Sequence, residues 1–181
     1  TGFTSDWSSD VCSSDLACAI ANVMPDGKIS LIEGSVDIGG SRTVVSQQMS
    51  EILGIPVENI NPQIGDTDSI GYTSNTGGSG VAFKSGWAAI EAAKHIQTQM
   101  LNRASILLEV DIKNLIYTDG SVVNQSAPNQ TISFKEIASS SNDTGGPIAG
   151  SSNLNPSGAG GSFAAHIVDL SIDKDPCKIN L

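Results

Sequence analysis

The stretch Gly34-Ser35-Val36-Asp37-Ile38-Gly39-Gly40-Ser41-Arg42-Thr43 decides how the chain is read. Before it, Ala17 to Met24 and Lys28 to Ser35 read as two strands joined by Pro25-Asp26-Gly27. Proline presets φ, the Asp side chain closes an Asx turn and glycine accepts positive φ, so the pair reads as a hairpin. After it, Val44, Val45, Gln48, Met49, Ile52 and Leu53 recur near helical spacing. Ser41 is suited to cap that helix and Gly54 to stop it at C′. The glycines therefore mark the passage from a strand into a helix.

The same reading extends downstream. Pro56 to Ile60 is a turn, and Asn61 to Gly65 a short strand leading to Asp66-Thr67-Asp68. A loop, Ser69 to Gly78, precedes one long predicted helix from Ser79 to about Leu108. Its stripe is Ala88, Ala89, Ala92, Ala93, Ile96, Met100 and Leu101, small enough for tight packing. Such a helix is roughly 45 Å long, and Gly86 either kinks it or admits another backbone closely. Asp119-Gly120 between Asn114–Tyr117 and Val122-Val123 signals a hairpin. Ser133 with Glu136 three residues on predicts a capping box for a helix over 133–139. Residues 143–161 are rich in Gly, Ser, Asn and Pro, and Phe163 to Ile172 alternates as a strand. The predicted class is α+β: mixed sheet and hairpins, one long helix and shorter helices.

The chain has 181 residues, enough for a domain that buries roughly 70% of its unfolded surface without a staple. Nine Lys and Arg against nineteen Asp and Glu give a net charge of −10 and a pI near 4.3. Clustered cations are what phosphate backbones and anionic membranes require, so neither nucleic acid nor a membrane surface is an expected partner. No apolar run reaches the length of a membrane span, and no charged-then-apolar leader opens the chain. Cys12, Cys18 and Cys177 are odd in number and form no CxxC, which predicts free thiols in a reducing cytoplasm rather than an iron–sulfur or zinc site.

The termini read differently. Residues 1–16, TGFTSDWSSDVCSSDL, repeat Ser-Ser-Asp and carry neither helical nor strand periodicity. They resemble translated sequencing-adapter read-through, so 1–16 is expected to be a non-native tail that packs against nothing, Trp7 and Cys12 included. The other end stops at Lys178-Ile179-Asn180-Leu181, in mid-pattern for a strand. The chain thus reads as a piece of a larger protein.

Two glycine turns each open a predicted helix: Asp37 to Thr43, and Thr76-Gly77-Gly78-Ser79-Gly80. A helix N-terminus exposes unpaired N–H groups and partial positive charge. Glycines let a ligand approach the backbone, and Ser41, Thr43 and Ser79 add hydroxyls. One such turn binds a phosphate or carboxylate, and two that converge suit a long, dinucleotide-like anion. An ordinary cap accounts for either turn taken alone. Neither is a Walker loop or a GxGxxG.

These segments, in order, resemble the xanthine dehydrogenase/aldehyde oxidase family, in the bacterial branch with carbon monoxide dehydrogenase-like large subunits. Gly34 to Thr43 resembles the family's G-[ST]-x-[DE]-[IM]-G-Q-G-x-x-T segment, and Leu53-Gly54-Ile55-Pro56 its LGIP turn. Gly65 to Thr73, Thr76 to Ser79, Gly145 to Gly150 and Gly161 to His166 follow in the family order. The resemblance implies that 17–181 is part of the second molybdopterin-binding domain of the molybdenum subunit. It implies molybdopterin cytosine dinucleotide carrying molybdenum, with iron–sulfur centres and FAD on partner domains or subunits. It also implies cytoplasmic hydroxylation of aldehydes, heterocycles or, in one branch, oxidation of CO. By the same resemblance Ile38, Gly39, Gly40, Ser41, Gly77, Gly78 and Ser79 would hold the cofactor. The family's Gln has no counterpart, since Gly39 is followed directly by Gly40, and a hydroxyl found in some members is Val81 here. None of Glu33, Glu51, Glu58, Glu91, Glu109 and Glu136 sits in the motif of the family's catalytic base, so no catalytic residue is assigned.

Other candidates read as structural. Asp66-Thr67-Asp68 is expected to form an Asx turn rather than a cation clamp. His95 and His166 lack a second ligand at metal spacing, no serine has a paired base, and Trp87 is expected in the core. The rival function is a non-enzymatic acidic module, rich in Ser, Gly and Asn, whose glycine turns bind nothing.

Overall fold

The computed structural model describes residues 16–66, 68–77, 79–156, 160–161, 167–168, 171–173 and 178–180. Strands β1 (Ala17–Val23) and β2 (Ile29–Glu33) form the expected antiparallel hairpin, with Ala19 opposite Glu33 and Ala21 opposite Leu31. Helix α1 (Ser41–Leu53) crosses from β2 to β3 (Ile60–Ile64), which pairs parallel to β2. A parallel neighbour needs such a crossover, because a tight turn reverses the chain. The helix ends where Gly54 takes φ 60° and returns its N–H to Ser50 O.

The fourth strand is the largest departure from expectation. Residues 143–161 look like loop by composition, yet Ile148–Leu154 forms β7, paired antiparallel along the whole of β1. The sheet order is β3-β2-β1-β7. Small residues make this strand invisible to propensity and indispensable to packing. A Cβ on Gly150 would lie inside the contact distance of the Ala92 carbonyl oxygen. The strand therefore uses glycine to let a helix backbone close on it.

That helix is α2 (Val81–Leu108), 28 residues and about 42 Å long. Ala88, Ala89, Ala92, Ala93, Ile96, Met100 and Ala104 are buried on its sheet-facing side, against Ala17, Ala19, Ala21, Ile29, Leu31 and Ile148. Alanines on both sides replace side-chain thickness with backbone proximity, and Ile96 and Met100 each contribute about 1.5–3 kcal/mol by burial. Gly86 does not kink the helix. It marks the crossing with α1, where an added Cβ would strike the Gln48 side chain. Gln48 Nε2 donates to Ala82 O at 3.2 Å across the same crossing. Trp87 departs from its expected core position: it is 40% exposed and meets Phe83 edge-on, with ring centroids 5.6 Å apart.

A second sheet follows. β4 (Leu115–Thr118) and β5 (Ser121–Asn124) turn through Asp119 and Gly120, both at positive φ, and β6 (Thr131–Ser133) adds to β5. Tyr117 donates its hydroxyl to Leu53 O at 2.7 Å, which fixes this hairpin to the end of α1. Helix α3 (Phe134–Ser139) carries the expected capping box between Ser133 and Glu136. Helix α4 (Ser141–Thr144) is one turn, held by Arg103 of α2, which donates to the carbonyls of Thr144 and Gly146. Finally β8 (Ser171–Asp173) pairs antiparallel with β9 (Lys178–Asn180). Of the strand expected over Phe163–Ile172, residues 163–166 and 169–170 lie outside the described residues. Residues 167 and 168 are not strand, and β8 begins only at Ser171. The mixed sheet, hairpins and one long helix make the class α+β, as the sequence predicts.

The two interior glycines separate rigid from yielding contacts. Gly150→Ala pushes a methyl into helix backbone and is expected to cost about 1–3 kcal/mol. Gly86→Ala meets only the end of a flexible side chain and gains helix propensity, so its net effect stays within about 1 kcal/mol. Urea unfolding midpoints at unchanged m-value measure both, and equal losses would contradict this packing.

Candidate functional site

The site is built where the sheet's two helix entries adjoin. β2 ends at Glu33, and Gly34 to Gly40 carry the chain up to α1. The loop from Gly65 to Gly80 returns beside this connection before α2 begins. Gly34 packs under Thr73 so closely that a Cβ there would overlap the Thr73 side chain. Ser35 Oγ and Ser85 Oγ share a buried 2.6 Å hydrogen bond, which ties the first connection to the first turns of α2. A crevice of about 10 Å³, roughly room for one water, lies between them. It is lined by Ser35 from one side and by Thr73, Ser74, Gly77, Val81 and Lys84 from the other. Leu16 reaches the same crevice, and its carbonyl accepts from Ser74 N at 2.9 Å and Ser74 Oγ at 3.2 Å. Residues 1–15 of the expected tail, Trp7 among them, lie outside the described residues.

The first glycine turn differs from the expected cap. The N-cap of α1 is Gly40, at φ 80°, and Gly39 is at φ 62°. Ser41 is the first helical residue, and its buried hydroxyl turns inward to Val36 O (3.3 Å) and Asp37 Oδ1 (3.2 Å). Asp37 does the capping instead. Its Oδ1 accepts from Arg42 N at 3.1 Å, and its Oδ2 from Arg42 Nε at 2.8 Å. These bonds, the backbone one first, hold the Asp37 carboxyl below the usual range. A carboxylate thus already occupies the positive end of α1. What stays open is the outer rim. Ile38, Gly39 and Gly40 are exposed, and a Cβ on either glycine meets nothing within 4 Å. Among the described residues the N–H groups of Gly39, Gly40 and Ser41 have no acceptor. Such a rim offers hydrogen-bond donors without net charge, which suits a polar, uncharged ring edge better than a phosphate.

The second turn lacks such a cap. Gly80 N donates to Gly77 O at 3.2 Å, Gly80 is the N-cap of α2, and no side chain caps it. Ser79 sits one residue before the N-cap, exposed and at φ 54°. Gly78 lies outside the described residues. Ser41 and Ser79 therefore flank their helices differently: one is sealed in, the other presented. Lys84, in the first turn of α2, lines the crevice, and the α2 N-terminus behind it carries partial positive charge.

One residue was passed over by pattern reading. Glu33 is fully buried on the helix-facing side of β2, and neither carboxylate oxygen has a hydrogen-bond partner among the described residues. Burial first, then Asp37, raise its pKa from 4.5 to about 7, against a smaller lowering by Arg42. Alternation in Ile29, Leu31 and Glu33 was the available signal: the third inward position of the strand is a carboxylate. Asp66 Oδ1 accepts from Asp68 N (3.0 Å) and Ser69 N (2.8 Å), an Asx turn. Cys18 is free and buried, and donates to Tyr72 O at 3.0 Å, while Cys12 and Cys177 lie outside the described residues. Among the described residues no three His, Cys, Asp or Glu are grouped to hold a metal ion, and no helix is long and apolar enough to cross a membrane.

The chain is similar in sequence and fold to known proteins. A family model described as a molybdopterin cofactor-binding domain matches residues 2–181. The xanthine dehydrogenase molybdenum-binding subunit of Escherichia coli O157:H7 is 26% identical over 162 residues, covering 86% of this chain and 22% of that protein. The nicotine 6-hydroxylase large subunit of Paenarthrobacter nicotinovorans is 27% identical over 113 residues, covering 62% and 14%. Among solved structures, reconstituted CO dehydrogenase from Oligotropha carboxidovorans superimposes with a TM-score of 0.73 at 25% identity, covering 77% of this chain and 18% of that one. Quinoline 2-oxidoreductase from Pseudomonas putida 86 shares the fold, with a TM-score of 0.65 at 20% identity. The chain spans about a fifth of the length of the xanthine dehydrogenase subunit it matches.

Glu33 gives this site a pH signature. Its folded pKa lies above its unfolded value, so the folded chain binds the extra proton between about 4.5 and 7. Its neutral form is the stable one, and stability falls as pH rises through that window, then levels off above it. The loss is on the order of 3 kcal/mol. Glu33→Gln fixes the neutral state and is expected to flatten the stability profile between pH 5 and 8. Thermal unfolding across that range measures it, and a parallel slope in both proteins would contradict the assignment.

Proposed function

The chain belongs to the molybdopterin cofactor-binding domain family, and from that premise we propose that it forms part of the cofactor cradle of a molybdenum hydroxylase subunit. The observation that carries the reading is the buried Ser35–Ser85 hydrogen bond with the crevice beside it, which brings the connection ahead of α1 against the segment that opens α2. The pterin edge would lie on Ile38, Gly39, Gly40 and the Ser41 N–H. A phosphate would lie toward Gly77, Gly78 and Ser79, with Lys84 nearby. This division follows from charge, since Asp37 already occupies the positive end of α1 while no side chain caps that of α2. The fit also explains how a chain of net charge −10 would hold a pyrophosphate: oriented backbone dipoles replace missing side-chain cations.

The cofactor form proposed is molybdopterin cytosine dinucleotide, whose pyrophosphate would use the second turn. When bound, the molybdenum centre supplies two-electron oxidation with water as the oxygen source. The substrate class is aldehydes, heterocycles or CO, and the electrons would leave through iron–sulfur and flavin domains or subunits in the cytoplasm. In this division of labour the chain's own residues bind and orient; none is assigned to the reacting atoms. The rival reading, an acidic binding or surface module, finds no support in the joined glycine turns or in the Ala-rich helix behind them.

Expressed as the complete subunit with its molybdenum-insertion machinery, the protein is expected to carry about one molybdenum and to release cytosine nucleotide on acid treatment. Metal analysis and nucleotide chromatography check this, and a stable protein with neither would overturn the reading. The 181-residue chain by itself, given cofactor and an artificial electron acceptor, is expected to be silent toward aldehydes and purines. Turnover under those conditions would place the catalytic machinery within this segment.

A further inference from the structure

The four-stranded sheet packs its helices on one face. Ala17, Ala19 and Ala21 of β1 turn toward α2, so Cys18, Ile20 and Asn22 turn the other way. Register carries this alternation across the sheet: Ile20 stands beside Ile32 and Ser151, and Ile32 beside Gln63. One row further, Asn22 stands beside Ser30 and Ala149, and Ser30 beside Asn61. No outward position of these four strands is charged, although 15% of the chain is Asp, Glu, Lys or Arg. The chain itself covers one end of this face. Ile70 is buried apart from the main core, and an added Cβ on Gly65 would strike both Ile70 and Ile32. Gly71 lies against Cys18 and Asn153, and the Cys18 thiol donates to Tyr72 O at 3.0 Å. At the other end Asn22, Asn61, Ala149 and Ser151 are exposed among the described residues. There the exposed Met24 flanks a groove of about 450 Å³, which Ser30 and Asn61 also line. Asp26 and Lys28, 3.8 Å apart, rim this groove at the hairpin tip.

We propose that this helix-free face seats another segment of the same subunit polypeptide, one that presents uncharged, small or apolar side chains to it. Charge depletion at the centre with charges at the rim is the composition of a contact surface, not of a solvated sheet. The pairing of β2 with β3 is parallel, a pairing found mainly where both faces of a sheet are covered. Size and charge choose the occupant. Four strands about 4.8 Å apart and about five residues long give a face of roughly 300 Å². A separate protein needs about 800 Å² on each side, whereas contacts between domains of one chain begin at about 600 Å² in total. A second copy is disfavoured further, since two chains of net charge −10 repel. A tethered segment escapes both limits, and the chain spans only 22% of the xanthine dehydrogenase subunit it matches. The proposal rests on the reading of the chain as part of a longer subunit and is independent of the cofactor.

The test places single thiols on the face in the complete subunit, as Ser151→Cys on β7 and Asn61→Cys on β3. Both sites are exposed in the structure, so neither change disturbs the sheet. Each thiol is expected to react with a maleimide at least about tenfold more slowly in the folded subunit than in the same protein unfolded in urea. Peptide mass spectrometry reads the rates site by site, and faster reaction at either position overturns the proposal. A photoreactive cross-linker carried on either thiol is expected to join it to the same polypeptide outside residues 1–181. Cross-links that leave this segment only for another subunit or a second copy refute the assigned occupant and the proposal with it, as does their absence. Metal analysis of the same preparations separates the two readings. Protected, cross-linked thiols in a subunit without molybdenum keep the docking face and sink the cofactor reading. Freely labelled thiols in a molybdenum-loaded subunit sink the docking face alone.

Discussion

The approach of α2 to the sheet is the constraint on which the rest of this structure depends. Gly150 lets the Ala92 carbonyl settle against β7, and the alanines of β1 and α2 let the two backbones come close along the helix. Close packing of small residues gives little burial per residue, but it fixes height and register with little freedom to slide. Once that height is set, the first turns of α2 come level with the end of β2. The Ser35–Ser85 hydrogen bond is the consequence, and with it the crevice between the end of β2 and the segment that opens α2.

Charge then divides the two turns. Both are glycine-rich entries to helices, and by sequence they look alike. Asp37 closes one of them with a side chain of its own, so its positive end is compensated internally. The other begins at Gly80 with no side-chain cap and with Lys84 on the crevice it borders. A helix dipole is worth at most a kcal/mol or so at an exposed end, roughly the scale of one capping carboxylate. A single aspartate therefore suffices to change what the turn can bind.

Glu33 shows the same economy from inside the fold. It occupies the third inward position of a strand whose other two are Ile29 and Leu31. An apolar residue would pack there without cost. A carboxyl with no hydrogen-bond partner among the described residues is costly to ionise, and burial raises its pKa to about 7. Of the charged groups that act on it, Asp37 disfavours its ionisation and Arg42 favours it, and both belong to the turn that follows the strand.

Local signals determined much of this molecule. The Pro25-Asp26-Gly27 hairpin, the Gly54 stop, the Asp119-Gly120 turn and the Ser133–Glu136 capping box depend on φ preferences and on bonds within four residues, and each stands in the structure as the sequence predicts. The long helix was legible from its alanine stripe to within two residues at its start. Strand β7 was not legible, because Gly150, Ser151, Ser152 and Asn153 have weak strand propensity and are held by pairing with β1, more than a hundred residues earlier. The capping role of Asp37, the inward turn of Ser41 and the exposure of Trp87 escaped for a related reason. Each depends on where a side chain finds its partner in space, and a sequence fixes the partners of a backbone group only when they are near in the chain. The glycine turns were named by the sequence; that Asp37 caps one of them while no side chain caps the other was decided by where the side chains lie in space.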